Sequence, residues 1–346
     1  ALDRISVPPG RMNNKGHFKK TDWIEIQTRI SPIVKQTPVI SNENINDLYG
    51  LEVFFKCENL QNTGAFKIRG AANVVLKAQR EQKLKNGIIG SSSGNHGIAL
   101  ATLGKALDIP CVVVVPPICP KMKVKKIKDL GAEIIFTPGM NYADRERIVN
   151  EIASVRGLMI VSNGNSLDCI QGHGTMALEL SSQVVGDPLD AILVPASTGG
   201  MLAGCALATK DVNPTCKIIA VEPKGKCLAD SLRAKTMLWP GPRKYLETRA
   251  EGLKTQAVFP IPFDICCDHV EPEVLTVSDE EMIRGIQLAA AELKLVLEMP
   301  AGAALAAAFQ VKKRFPNVKR LGIILCGGNI DMEVLMDSLV AFDPNP

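Results

Sequence analysis

From about residue 87 onward the chain alternates short β-branched apolar runs with amphipathic segments, and this alternation restricts its fold more than any other feature. The runs "GIIGSS" (87–92), "CVVVVPP" (111–117), "EIIFTP" (133–138) and "LMIVSN" (158–163) are separated by helical patterns near 95–107, 121–130 and 142–156. A second set follows, "AILVPA" (191–196), "KIIAVEP" (217–223) and "LGIILCGG" (321–328), and "VFFKCE" (53–58) precedes both. Continuous apolar runs between helices predict parallel strands covered on both faces, because a half-exposed strand would alternate polar and apolar residues. The expectation is an α/β protein with two doubly wound, mostly parallel sheets in a large and a small domain. Its site should lie in the cleft between them, at the carboxyl ends of the strands. The boundaries read as a polar N-terminal extension over 1–20, a large domain from 21–86 and 164–346, and a small domain from 87–163.

Composition removes several functions from consideration. Lys and Arg number 40 against 36 for Asp and Glu, too small an excess for a nucleic-acid partner. The densest basic run, "KMKVKKIKDLG" (121–131), interleaves Lys with Met122, Val124, Ile127 and Leu130, which predicts an amphipathic helix with a solvated basic face. The ten cysteines contain no CxxC pair, and Cys57, Cys111, Cys205 and Cys326 sit in apolar contexts, as reduced buried thiols of a cytoplasmic protein do. The four histidines, at 17, 96, 173 and 269, lack metal-motif spacing. No apolar run approaches a membrane span, and "ALDRISVPPGRMNNKGHFKK" at the start lacks the apolar centre of a signal peptide.

Chemistry concentrates in glycine-containing loops that follow apolar runs. "GSSSGNHGIALA" (90–101) brings Ser91, Ser92, Ser93 and Gly94 to the start of a helix, where hydroxyls and free backbone N–H groups form a carboxylate- or phosphate-sized anion site. "VPASTGGMLAG" (194–204) repeats strand, polar turn and helix, without the GK[ST] of a P-loop or the spacing of GxGxxG. "TGAFKIRGA" (63–71) sets Lys67 between Phe66 and Ile68, with Gly64 and Gly70 beyond. A lysine among small and apolar residues, beside two anion sites, suggests a phosphorylated carbonyl cofactor joined to Lys67. An amine forms a Schiff base with an aldehyde, and pyridoxal phosphate uses that bond to stabilise carbanions.

With these residues in hand, the chain resembles the pyridoxal-phosphate enzymes of fold type II (tryptophan synthase β-like), in the serine racemase and serine/threonine dehydratase branch. "FFKCENLQNTGAFKIRGAANVV", "SSSGNHGIALA", "GHGTMALE", "GGMLAG" and "GGNID" match in order, over roughly residues 22 to 335. The resemblance implies that Lys67 is the Schiff-base lysine, that Phe66 packs by the cofactor ring and that Asn95 bonds its phenolic oxygen. Ser197, Thr198, Gly199, Gly200 and Met201 would hold the phosphate, and Cys326 would face the pyridine nitrogen. Ser92, Ser93, Asn95 and His96 would take the substrate carboxylate, with Arg145 as a second contact. Racemisation needs a proton donor on each face of Cα; Lys67 serves one and the Ser93 hydroxyl the other. The implied enzyme is a homodimeric, cytoplasmic serine racemase that also eliminates serine to pyruvate and ammonia. The alternative is an L-serine/L-threonine dehydratase without racemase activity.

Two departures from that family carry expectations of their own. The phosphate loop is usually four glycines, whereas Ser197 and Thr198 resist positive φ. The resemblance also implies a divalent cation (Mg²⁺ or Ca²⁺) at Glu222. The second carboxylate position is Leu228 and the carbonyl position is Lys226, and an ammonium beside a cation site is unfavourable.

Overall fold

The computed structural model describes residues 21–92, 94–140, 142–238 and 245–340; the extension expected over 1–20, and Ser93, lie outside the described residues. Among the described residues ten strands form two sheets: β1 (Val39–Ile40), β2 (Glu52–Lys56), β3 (Ile88–Ser91), β4 (Cys111–Val115), β5 (Glu133–Phe136), β6 (Met159–Ile160), β7 (Ala191–Pro195), β8 (Lys217–Pro223), β9 (Leu275–Val277) and β10 (Arg320–Ile324). The six-stranded sheet has the order β1-β2-β10-β7-β8-β9, in which only the β1–β2 pair is antiparallel. The four-stranded sheet, β5-β4-β3-β6, is parallel throughout. Every residue of β4 and β7 is buried, because helices cover both faces; this is why those strands read as unbroken apolar runs. No helix among the described residues is long and apolar enough to cross a membrane.

Strand order sets where a ligand can sit. In the smaller sheet the chain runs outward from β3 to β4 and β5 on one side and to β6 on the other. In the larger sheet β7 leads to β8 and β9, while its other neighbour is β10. Connections diverge at such switch points and leave a crevice at the strands' carboxyl ends. The loops that follow β3, β7 and β10 are those that begin at Ser92, Ala196 and Leu325.

Beneath the crevice lies a charge cluster. The guanidinium of Arg69, in the Lys67–Arg80 helix, contacts Glu58 at 2.8 Å and Glu179, in the Leu167–Gln183 helix, at 2.7 Å. Lys56 Nζ, at the end of β2, reaches Glu179 at 2.7 Å, and Thr37 Oγ1 donates to Glu58 at 2.6 Å. Lys56, Glu58 and Arg69 are each 0% exposed. Burial works to raise the Glu58 carboxyl, but Arg69, the Thr37 hydroxyl and Lys56 together outweigh it and hold the group below its ordinary value. Burial lowers the Lys56 ammonium, and Glu179 opposes the loss of its charge.

The helices meet closely above this cluster. A Cβ on Gly70 would lie 2.4 Å from His173 Cε1, one on Gly172 2.5 Å from the Arg69 carbonyl and one on Gly204 2.3 Å from the Ile170 carbonyl. Any side chain there would drive the Leu167–Gln183 helix away from its two neighbours. Removing one member of the cluster while keeping its partners is correspondingly costly, since it leaves a buried charge unpaired. We expect Arg69→Met to lose about 3–5 kcal/mol of stability, read as a drop in the urea midpoint.

Candidate active site

The switch-point loops converge on one cavity of about 280 Å³, lined among others by Phe66, Lys67, Ser92, Asn95, His96 and Cys326. Ser197, Thr198, Gly199, Gly200, Met201 and Arg145 line it too, so all the described residues expected at the cofactor and substrate sites meet in one place. The metal expectation at Glu222 lies elsewhere. Ser93 is not described, but its chain neighbours Ser92 and Gly94 are on the cavity wall.

Lys67 owes its place to the turn before it. Gly64 adopts φ +76°, and a Cβ there would sit 2.4 Å from Asn329 Oδ1. The segment then pairs with the loop after β10: Phe66 N donates to the Cys326 carbonyl at 3.1 Å and Gly328 N to the Gly64 carbonyl at 2.9 Å. Lys67 starts its helix directly afterwards, with Nζ 4.7 Å from the Phe66 ring centroid. Burial pushes its ammonium down to about 8, against the opposing pull of Cys169, Cys326 and Glu298. The His173 ring stacks edge-on against Phe66 with centroids 4.8 Å apart, and burial holds its imidazole well below its ordinary pKa.

The turn after β3 opens the Asn95–Leu107 helix, and Ser92 Oγ accepts from Gly94 N at 3.0 Å. Asn95 is held at both ends of its amide: Nδ2 donates to Glu298 at 2.5 Å, and Oδ1 accepts from Asn329 Nδ2 at 2.9 Å. His96 is turned inward, its Nε2 3.0 Å from the Val161 carbonyl, and burial lowers its pKa to about 4. A neutral ring with Nε2 protonated fits that bond. Cys326 is buried, which raises its thiol well above the ordinary value and keeps it uncharged.

In the loop after β7 only Gly199, at φ +91°, has a left-handed backbone; Ser197 and Thr198 do not, so their side chains incur no strain. A Cβ on Gly199 would meet Val258 Cγ1 at 2.3 Å, and one on Gly200 would meet Gly164 Cα at 2.9 Å. The loop caps the Gly200–Val212 helix, with Thr198 Oγ1 donating to the Asn163 carbonyl at 3.2 Å. Asn163 Oδ1 is buried without a hydrogen-bond partner among the described residues, and Asn163 also lines the cavity. A tight glycine cradle at a helix N-terminus, an orphaned polar atom and an amine of lowered pKa suit a phosphorylated aldehyde.

Sequence reasoning missed the charges opposite. Lys123 is 6% exposed rather than solvated like Lys121, Lys125 and Lys128 of the same basic helix. Its Nζ donates to Glu298 at 3.1 Å and lies 3.9 Å from Glu251, and these carboxylates outweigh burial to raise its pKa. The available signal was its spacing: Lys123 stands four residues before Ile127, on the inward stripe of the helix. Tyr245 and Lys254, also on the cavity wall, carried no motif.

The expected metal position does not fit a divalent cation. Glu222 Oε2 accepts from Leu228 N at 3.3 Å, the Leu228 side chain is buried, and the third position is the Lys226 ammonium. Asp230 pairs with Arg233 at 3.2 Å instead. Among the described residues no group of three or more His, Cys, Asp and Glu is arranged to hold a metal.

An amine poised at the junction of two doubly wound sheets, facing a phosphate-sized cradle, defines a pyridoxal-phosphate enzyme of fold type II. The chain belongs to the pyridoxal-phosphate dependent enzyme family, whose model matches residues 30–327. It is 38% identical to an L-threo-3-hydroxyaspartate ammonia-lyase of Saccharomyces cerevisiae, over 90% of this chain and 93% of that protein. Identity to a serine racemase of Schizosaccharomyces pombe is also 38%, over 90% and 94%. Among solved structures it is similar to a pyridoxal 5'-phosphate-dependent aspartate racemase, with TM-score 0.88 and 38% identity over 92% of this chain and 98% of that one.

Two measurements check this electrostatic picture. In the cofactor-free protein, reductive methylation of Lys67, followed by mass spectrometry, should titrate near pH 8, well below the ordinary lysine range. Lys123→Met should cost about 3–5 kcal/mol in urea unfolding, because the buried Glu298 carboxylate loses its counter-charge.

Proposed function

We propose that this enzyme racemises L-serine to D-serine and, in the same site, eliminates L-serine to pyruvate and ammonia. The observation that carries the reading is the meeting of Lys67 with the serine-rich turn after β3 in one cavity. Similarity to the fission-yeast serine racemase supports it. When bound, pyridoxal phosphate supplies an electron sink that stabilises negative charge at the substrate Cα. Lys67 would hold its aldehyde carbon, the Ser197–Met201 loop its phosphate, Phe66 the face of its ring and the neutral Cys326 thiol its ring nitrogen. Asn95, with Oδ1 committed to Asn329, has a second N–H to offer the ring oxygen.

The substrate carboxylate is received by Ser92, Ser93, Asn95 and His96. With the His96 ring committed to Val161, residue 96 contributes through its backbone N–H at the helix N-terminus. Arg145 adds a charge from another wall of the cavity. Lys67 Nζ takes the Cα proton on one face, and the Ser93 hydroxyl returns a proton from the other. Without that second donor only elimination remains, and the enzyme is an L-serine/L-threonine dehydratase. All ten cysteines are free, which suits a reducing cytoplasm, and the family resemblance supports a homodimer.

A second substrate has its own observation. Arg145 and Lys254 both line the cavity, and two cations beyond the carboxylate turn suit a substrate with a second carboxylate, as the name of the budding-yeast relative specifies.

Incubating the enzyme with L-serine, and quantifying D-serine and pyruvate in the same sample, tests the proposal; both should form. Ser93→Ala should abolish D-serine and spare pyruvate, whereas equal loss of both products would rule out Ser93 as the second acid. Faster turnover of L-threo-3-hydroxyaspartate than of L-serine would favour the dicarboxylate reading.

A further inference from the structure

The turn after β8 holds a cation of its own. Lys226 is 2% exposed, and its Nζ donates to the Thr255 carbonyl at 2.5 Å. Glu222 is 4% exposed at the end of β8, where burial raises its carboxyl and the charge of Lys226 opposes that rise. Gly225, at φ +92°, turns the chain between the two, and a Cβ there would lie 3.4 Å from Leu246 Cδ2. Thr255 and Leu246 belong to one segment: Leu246 N donates to the Lys254 carbonyl at 2.8 Å, and Tyr245 bridges Thr255. That segment supplies Tyr245, Leu246, Glu251, Lys254 and Thr255 to the cavity wall.

A buried ammonium needs oxygen partners, and here the Thr255 carbonyl comes from a stretch of chain separate from the β8 turn that carries Lys226, with Glu222 as a nearby opposite charge. A divalent ion bridging the same two stretches would need several more oxygens, whereas Leu228 offers only an apolar side chain and a backbone N–H. We propose that the Lys226 ammonium is a built-in substitute for a divalent cation: it ties the end of β8 to the 245–255 wall of the active-site cavity and makes that wall independent of metal. A covalently attached cation cannot be stripped by a chelator, and its occupancy does not vary with ion concentration.

The test uses the holoenzyme. Its melting temperature and its KM and kcat for turnover should be unchanged after exhaustive EDTA treatment and after addition of MgCl₂ or CaCl₂. A metal-dependent rise in melting temperature, or an activity gain reversed by EDTA, would overturn the proposal. Lys226→Met should lower the melting temperature by several degrees and raise KM more than it lowers kcat. A Lys226→Met protein that melts like the unsubstituted enzyme would overturn the tether. The double variant Lys226→Gly/Leu228→Asp, which removes the ammonium and restores a second carboxylate, should melt higher in CaCl₂ than in EDTA; no difference would count against the substitution of one cation for another. Melting is read independently of which amino acid the enzyme turns over, so failure here is distinguishable from failure of the serine reading.

Discussion

The buried quartet Lys56, Glu58, Arg69 and Glu179 is the constraint on which the position of Lys67 depends. Apolar packing tolerates exchange among side chains of similar volume, whereas buried charges accept only partners placed within hydrogen-bond reach. The planar guanidinium of Arg69 has to face two carboxylates from different elements at once, which fixes the rotation and the axial position of its helix. Lys67 lies two residues earlier on that helix, so its geometry is inherited from charges that never touch the cavity. The glycine contacts at Gly70, Gly172 and Gly204 permit this approach, and the charges give it a single register.

Above this base the cavity resolves a conflict. It has to welcome the anionic phosphate of the cofactor, yet Glu251 and Glu298 stand in its wall. Lys123 crosses from the smaller-sheet side of the cleft to neutralise Glu298, whose other oxygen orients Asn95. The carboxylate thereby serves as an acceptor that fixes an amide and presents little net repulsion to an incoming anion. Lys67 is treated in the opposite way: its surroundings desolvate it more than they compensate its charge, and it is readily deprotonated. Two lysines in one cavity thus have opposite protonation tendencies because Lys123 pairs directly with carboxylates, whereas for Lys67 burial outweighs the pull of Glu298.

How much of this was legible in the sequence depends on whether the determinant is local. Strands buried on both faces appear as apolar runs, and "KIIAVEP" coincides with β8 to the residue. β1 and β9, with two and three residues, are too short to show a period and only extend the larger sheet. Lys67, Asn95 and the Ser197–Met201 loop stand out because each requires small or polar residues in consecutive positions after a strand. Lys123 and Glu298 are 175 residues apart, and neither needs a distinctive neighbour to find the other. The conflict expected at Ser197 and Thr198 dissolves for a similar reason: the sequence shows which residues are present, but not which of them the backbone forces into the left-handed region.

That last point bears on how such a loop can diverge. At Gly199 backbone handedness and the packing of Val258 and Pro262 exclude every side chain, and at Gly200 the neighbouring Gly164 leaves no room. Ser197 and Thr198 meet neither restriction. A glycine-rich phosphate loop is therefore not one uniform motif but a fixed core beside positions open to drift, where a lineage can trade backbone freedom for extra hydroxyl donors. Two relatives could share a cradle of the same shape and still differ in how firmly it grips phosphate, with no change in the fold around it.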